Sequence, residues 1–413
     1  MCNRYISAKE KYASIGVDTD EAIRKLSNAA ISIHCWQGDD VCGFENADEL
    51  SGGIAVTGNY PGKARNPEEL MADIDKVLSL IPGKHRLNLH AIYAITDKPV
   101  SRDAILPEHF DAWLDFAQKR GMHIDFNPTF FSHDMVVDGL TLSSPIDQVR
   151  NFWIRHAKAC RKIAAYIGEK QGSPCLCNIW IPDGYKNVPA DRLSPRRRLK
   201  ESLDEIFAEK MNPAYIIDSV ESKVFGIGCE SYTVGSNEFY MNYAAKNNIL
   251  CLMDNGHYHP TEVVSDKLSA MYLFFDKVAL HVTHPVRWDS DHIVHLDDET
   301  REIAKEIIAC DALDKTLIGL DYFDASVNRI SAWVVGIRNF QKALLFALLT
   351  PTKHLSELQN AGRLTELMVE SEELKLFPAG DIWDEFCRQQ GAPLDGEWFK
   401  AVKEYEEQTL LRK

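Results

Sequence analysis

Seven side chains able to bind a metal stand at or just beyond the ends of short apolar runs in the second half of the chain: Glu221, Asp254, His257, His281, Asp289, Asp291 and Asp321. Glu221 and Lys223 are two apart and share one side of an extended segment, while Asp289 and Asp291 put two carboxylates on one loop. Five carboxylates in one cavity cannot all remain bare anions, because repulsion and desolvation would protonate some of them or open the fold. A divalent cation resolves the conflict. Carboxylates mixed with imidazoles, without thiolates, suit Mn²⁺, Mg²⁺ or Co²⁺ better than a structural Zn²⁺. Seven donors exceed what one ion takes from protein, so two ions are expected, with Asp254 as the natural bridge. A single His or Asp at a strand end is more often a hydrogen-bonded loop residue, so joint placement carries this reading.

The elements that must position these groups can be read from periodicity. Eight runs rich in β-branched and aliphatic residues recur at 31–36, 87–93, 123–127, 176–181, 216–223, 249–254, 278–282 and 317–321. Each ends in polar or aromatic side chains: His34 and Trp36, His90, Asp125 and Asn127, Asn178 and Trp180, Glu221 and Lys223, Asp254, His281, and Asp321. Segments of helical period with caps lie between them, for example 108–120, 194–209 with Ser194 as N-cap, and 297–309. Alternating strand and helix at this spacing predicts an α/β fold, a (β/α)8 TIM barrel over residues 29–350. Residues 1–28 are expected to form N-terminal helices, with Asp18 and Glu21 at capping-box spacing, and 351–413 a C-terminal helical tail with i,i+4 pairs such as Lys403 with Glu407. A barrel presents its reactive groups where strands end, because only that face is open.

Composition narrows the partners. The chain has 46 basic and 61 acidic residues, a net charge of −15, which repels nucleic acid and anionic lipid alike. Its one basic cluster, 196–198, reads as the solvated start of a helix. Ten widely spaced cysteines in apolar stretches read as reduced, buried thiols. No leader-like apolar segment opens the sequence and no run approaches a membrane span, so a cytoplasmic protein is expected. Gly226-Ile-Gly228 is an incomplete dinucleotide fingerprint and is rejected.

The residues are also familiar. The motifs His34-Cys-Trp-Gln-Gly-Asp-Asp-Val41, Gly58-Asn-Tyr-Pro-Gly-Lys-Ala-Arg-Asn66, Leu87-Asn-Leu-His-Ala-Ile-Tyr93, Val220-Glu-Ser-Lys223, Pro285-Val-Arg-Trp-Asp-Ser-Asp-His292 and Gly319-Leu-Asp-Tyr-Phe-Asp-Ala-Ser326 closely resemble those of the bacterial L-rhamnose isomerase family. The resemblance spans about residues 31–340 and is looser in the tail. It implies an aldose–ketose isomerase taking L-rhamnose to L-rhamnulose, with two divalent metals, usually Mn²⁺, with Co²⁺, Mg²⁺ or Zn²⁺ acceptable in one site, in a homotetramer of barrels. Glu221, Asp254, His281 and Asp321 match the ligands of the substrate-holding metal, and His257, Asp289 and Asp291 those of the catalytic metal. A loop comparable to 52–66 reaches a neighbouring subunit's site in this family. Two positions depart from the expected pattern: His284 stands in place of arginine and Asn187 in place of aspartate.

A metal-assisted 1,2-hydride shift is the expected chemistry, since Lewis acids stabilise a developing alkoxide without a strong base. Lys223 is expected on the carbonyl oxygen, Asp291 and its loop at the catalytic metal, and His90 or Asp321 at ring opening. Trp36, Trp180 and Phe131 are expected to wall the sugar, with His257 close to it. The competing readings are another sugar isomerase on the same barrel, a metal-dependent phosphodiester hydrolase, which would want a basic groove, and a non-catalytic sugar-binding barrel, which would not need seven donors.

Overall fold

The computed structural model describes residues 3–45, 54, 56–224 and 231–413. The Gly226-Ile-Gly228 stretch and part of the 52–66 loop lie outside them. Eight parallel strands close into a barrel: β1 (Ile31–His34), β2 (His85–His90), β3 (His123–Asn127), β4 (Cys175–Trp180), β5 (Ile216–Glu221), β6 (Leu250–Asp254), β7 (Val278–Val282) and β8 (Thr316–Leu320). Each strand pairs with its neighbours in chain order, and β8 returns to β1 through Ile31↔Ile318 and Ser32↔Gly319. The strands therefore lie within the eight runs seen in the sequence, or within one or two residues of them. The runs overshoot at 35–36 and 91–93, where the chain turns into short 3₁₀ helices, Cys35–Gln37 and Ala91–Tyr93, the first of which carries Trp36 into the cavity wall.

A helix follows each strand: Pro67–Leu78, Asp111–Gln118, Asp147–Gln171, Leu193–Ile206, Asn237–Asn247, Ser265–Phe274, Asp298–Ala309 and Arg329–Leu348. Their starts are set by local chemistry. Asp18 caps the N-terminal helix Thr19–Asn28 by accepting from the amides of Asp20 and Glu21, and Asp297 caps Asp298–Ala309 by accepting from Thr300. The expected Ser194 cap is wrong. Asp191 accepts from the amides of Leu193 and Ser194, so the helix begins before the serine. The basic cluster behind it is only partly solvated, since Arg196 and Arg198 donate to the carbonyls of Val234 and Ser143.

The main apolar core lies between strands and helices. A second, small cluster of Leu176, Leu252 and Ala279, flanked by Ile217, Leu250 and Leu317, fills part of the barrel lumen. Its members sit two or four residues before Asn178, Glu221, Asp254, His281 and Asp321, so strand alternation turns both sets inward. Opposite this plug the lumen is polar: Asp125 accepts from Ser32 and takes both Nε and Nη2 of Arg86 at 2.8 Å. These groups share the lower lumen with the plug, and the metal-binding types stand beyond them at the C-terminal ends of the strands.

The tail forms helices Thr352–Asn360, Leu364–Leu374, Ala379–Gln389 and Glu397–Gln408. It returns to the barrel: Lys413 pairs with buried Asp73 at 2.5 Å, and Glu406 accepts from Tyr60 and from Asn328. The expected pair of Lys403 with Glu407 is not formed, because Lys403 reaches Glu406 instead. No single helix among the described residues is long and apolar enough to cross a membrane.

Candidate active site

Four of the seven expected donors meet tightly. One ligand atom from each of Glu221, Asp254, His281 and Asp321 lies within 4.8 Å of the others, at the ends of β5, β6 and β7 and just past β8. Glu221, Asp254 and His281 are buried, and Asp321 is partly open to the cavity. His281 Nδ1 faces Glu221 Oε1 and Asp321 Oδ2, each at 3.4 Å. Beside this group His257 Nδ1 is 3.2 Å from Glu221 Oε1, and its Nε2 is 3.2 Å from Asp289 Oδ2. Asp289 and Asp291 line the same cavity as Glu221, His257, His281 and Asp321, so the second set of expected donors lies beside the first.

The hydrogen bonds hold one oxygen of each of four carboxylates and leave the other without a donor. Glu221 Oε2 accepts from Asn178 at 2.5 Å, Asp254 Oδ1 from the Gly256 amide at 2.6 Å, and Asp289 Oδ2 from Lys223 at 2.6 Å. Asp321 Oδ1 accepts from the Trp36 indole at 2.9 Å. Glu221 Oε1, Asp254 Oδ2 and Asp289 Oδ1 are buried without a donor, and both nitrogens of His281 are likewise unbonded. Buried acceptors are rarely left so, because each costs about 1–3 kcal/mol. Several free acceptors aimed at one point fit a cation, and the residues present suit a divalent ion held by carboxylate and imidazole.

Electrostatics agree with that fit. Burial pushes Asp254 up to about 8, with Glu221, Asp321 and Asp289 adding to the rise against His257. Burial also raises the Asp291 carboxyl, helped by Asp289, Asp321 and Asp254. For Glu221 burial is outweighed by His281 and His257, and for Asp289 by His257 and Lys223, so both carboxyls stay well below the usual range. Protons thus compensate the carboxylates where a cation does not.

Aromatic rings wall the cavity opposite the donors. Trp36 packs edge-on against His90 at 4.9 Å, His90 against Phe131 at 5.6 Å, and Phe131 against Trp180 at 5.9 Å. Trp180 then stacks on His257. His90 accepts from or donates to Thr129 Oγ1 at 3.1 Å, and burial lowers its pKa to about 4, which keeps the ring neutral at pH 7. Lys223, expected on a substrate oxygen, lies over the Trp180 ring and donates to Asp289. Reading strand ends gave no role to Asn127 and Asn178, or to Val41, Ile54 and Phe323, all of which line the cavity. The two asparagines carried a signal, an amide at a strand end beside acidic neighbours; the apolar three carried none. The departure at His284 has a local account, since the ring bonds Asp297 at 2.7 Å and stacks on His295.

Residues 1–413 match the family described as L-rhamnose isomerase (RhaA). Curated L-rhamnose isomerases from Shigella flexneri serotype 5b (strain 8401) and Escherichia coli (strain K12) are each 54% identical over 407 residues, 98% of this chain and 97% of theirs. Among solved structures, L-ribulose 3-epimerase has a TM-score of 0.48 at 10% identity, covering 80% of this chain and 97% of its own. D-Psicose 3-epimerase from Clostridium cellulolyticum H10 has a TM-score of 0.48 at 11% identity, covering 77% and 96%.

Proposed function

The chain belongs to the L-rhamnose isomerase family and is an isomerase, and from that premise we propose that it interconverts L-rhamnose and L-rhamnulose by a 1,2-hydride shift at the cavity just described. The observation that carries the reading is the set of free carboxylate oxygens converging with His281 at the barrel mouth. Glu221, Asp254, His281 and Asp321 would hold one divalent ion and His257, Asp289 and Asp291 a second, with Asp254 shared and Mn²⁺ the preferred metal. Such ions supply Lewis acidity to adjacent sugar oxygens, lowering the cost of negative charge developing there.

The protein's own groups do the rest. Trp36, Phe131 and Trp180 offer flat apolar surface to the C–H faces and methyl group of a 6-deoxy sugar and exclude water from the migrating hydrogen. Neutral His90, fixed by Thr129, can take the ring hydroxyl proton as the sugar opens. Lys223 holds Asp289 in place and leaves its ammonium close to the reacting oxygens. Four of the five cavity carboxylates are engaged by protein donors, and Asp291, the fifth, is assigned to the second metal, which supports hydride over proton transfer.

We further propose a cytoplasmic homotetramer. Helix Leu364–Leu374 buries none of its residues, and Leu364, Met368, Leu376, Leu273 and Phe274 are all exposed, which supports contact with further subunits. The reaction is tested with L-rhamnose deuterated at C2. Ketose that retains the label at C1 supports the hydride shift; ketose that has lost it to water rejects that mechanism, and no ketose at all rejects the substrate.

A further inference from the structure

Resting on the proposed metal centre, we infer that Asn178 and Ser219 form a positioning relay that selects which oxygen of Glu221 faces the cation, and so sets metal affinity. The two residues lie opposite each other across β4 and β5, with Trp180 opposite Glu221 two residues further up. Both turn into the lumen by strand alternation. Ser219 and Asn178 are almost completely buried, as is Glu221.

Each hydrogen bond in the relay has one permitted direction. Ionised Glu221 only accepts, so the amide must present Nδ2 to it, and the bond is 2.5 Å long. The amide oxygen then faces Ser219, whose hydroxyl donates to Oδ1 at 2.8 Å. An inverted amide would set Oδ1 against the carboxylate and leave the serine hydroxyl facing NH₂. The serine therefore fixes the amide and the amide fixes the carboxylate. With Oε2 engaged, Oε1 is left without a protein donor and faces His281 and His257.

A carboxylate held in this way can offer one oxygen to a cation. Freed of Asn178 it could rotate, offer both oxygens or move toward the imidazoles, and the pre-set geometry at the other three donors would no longer match. Partners of this kind typically change metal affinity about 10- to 100-fold. An ordinary packing role for a buried amide predicts a different outcome, a loss of stability that is equal with and without metal.

The test is Mn²⁺ titration of chelator-treated wild type, Asn178→Leu, Ser219→Ala and the double variant, read by calorimetry and by the electron paramagnetic resonance signal of free and bound Mn²⁺. Wild type that binds no Mn²⁺ rejects the metal centre itself. Given wild-type binding, Asn178→Leu is expected to bind about 10- to 100-fold more weakly with an altered bound-Mn²⁺ spectrum, and Ser219→Ala several-fold more weakly. The double variant should be no weaker than Asn178→Leu, because the serine acts through the amide. Asn178→Leu with wild-type affinity and spectrum overturns the relay. Should that variant not fold, unchanged affinity in folded Ser219→Ala overturns it as well.

Discussion

Trp36 shows what a single residue contributes here beyond its surface. Its ring belongs to the aromatic wall, yet its indole N–H also holds Asp321 Oδ1. Trp36→Phe keeps a ring and removes that donor, so kcat/KM should fall about 10- to 100-fold with weaker Mn²⁺ binding. Steady-state kinetics at saturating metal check this, and unchanged values in both measurements would remove the role. Asp291→Asn removes a donor of the second set without changing its shape; turnover should be abolished while the circular dichroism spectrum is kept, and residual wild-type activity would contradict the assignment. The donors themselves were legible in the sequence because carboxylates and imidazoles at strand ends are unusual company. What holds each of them was not, since Asp321 is oriented by a tryptophan 285 residues away and Glu221 by an amide on a neighbouring strand. Such partners become neighbours only when the barrel closes.

Elements carry the next level of constraint. Strand positions were readable from alternation and composition, whereas ends were not: the runs at 31–36 and 87–93 continue as 3₁₀ turns with the same apolar character. Helix Asp147–Gln171 packs so closely beneath β5 that a Cβ on Gly168 would lie 1.7 Å from the Tyr215 carbonyl oxygen. Gly168→Ala should therefore cost about 1–3 kcal/mol, seen as a lower denaturation midpoint, and an unchanged midpoint would contradict that packing. The same helix carries His156, whose Nδ1 bonds the Arg102 carbonyl at 2.8 Å while Nε2 accepts from the Thr129 amide at 3.0 Å. One proton satisfies both bonds, so the ring is neutral, and burial lowers its pKa from 6.5 to about 3. The unfolded chain then binds the extra proton between those values and the folded one does not. Stability rises with pH across that window and is lost as pH falls, at about 1.4 kcal/mol per unit for this one group. Urea midpoints for wild type and His156→Gln from pH 7 down to 4 should converge toward acid; parallel curves would contradict a neutral buried ring.

At the scale of the whole molecule, the net charge of −15 includes five carboxylates gathered at one cavity, which bound cations would largely neutralise. Binding to the folded state alone also stabilises it, by about 2.7 kcal/mol at a hundredfold excess over Kd, so metal removal should lower the melting temperature. The exposed apolar residues of the tail and of helix Ser265–Phe274 predict a larger assembly than one chain; light scattering coupled to gel filtration should give about four chain masses, and a monomer would contradict it. The most direct measurement of the central claim is ketose formation from L-rhamnose by protein stripped with chelator and then supplied with Mn²⁺. Activity that vanishes on stripping and returns with Mn²⁺ is the expected result; turnover that persists without a divalent cation, or fails to appear with one, would contradict a metal-dependent isomerase at this site.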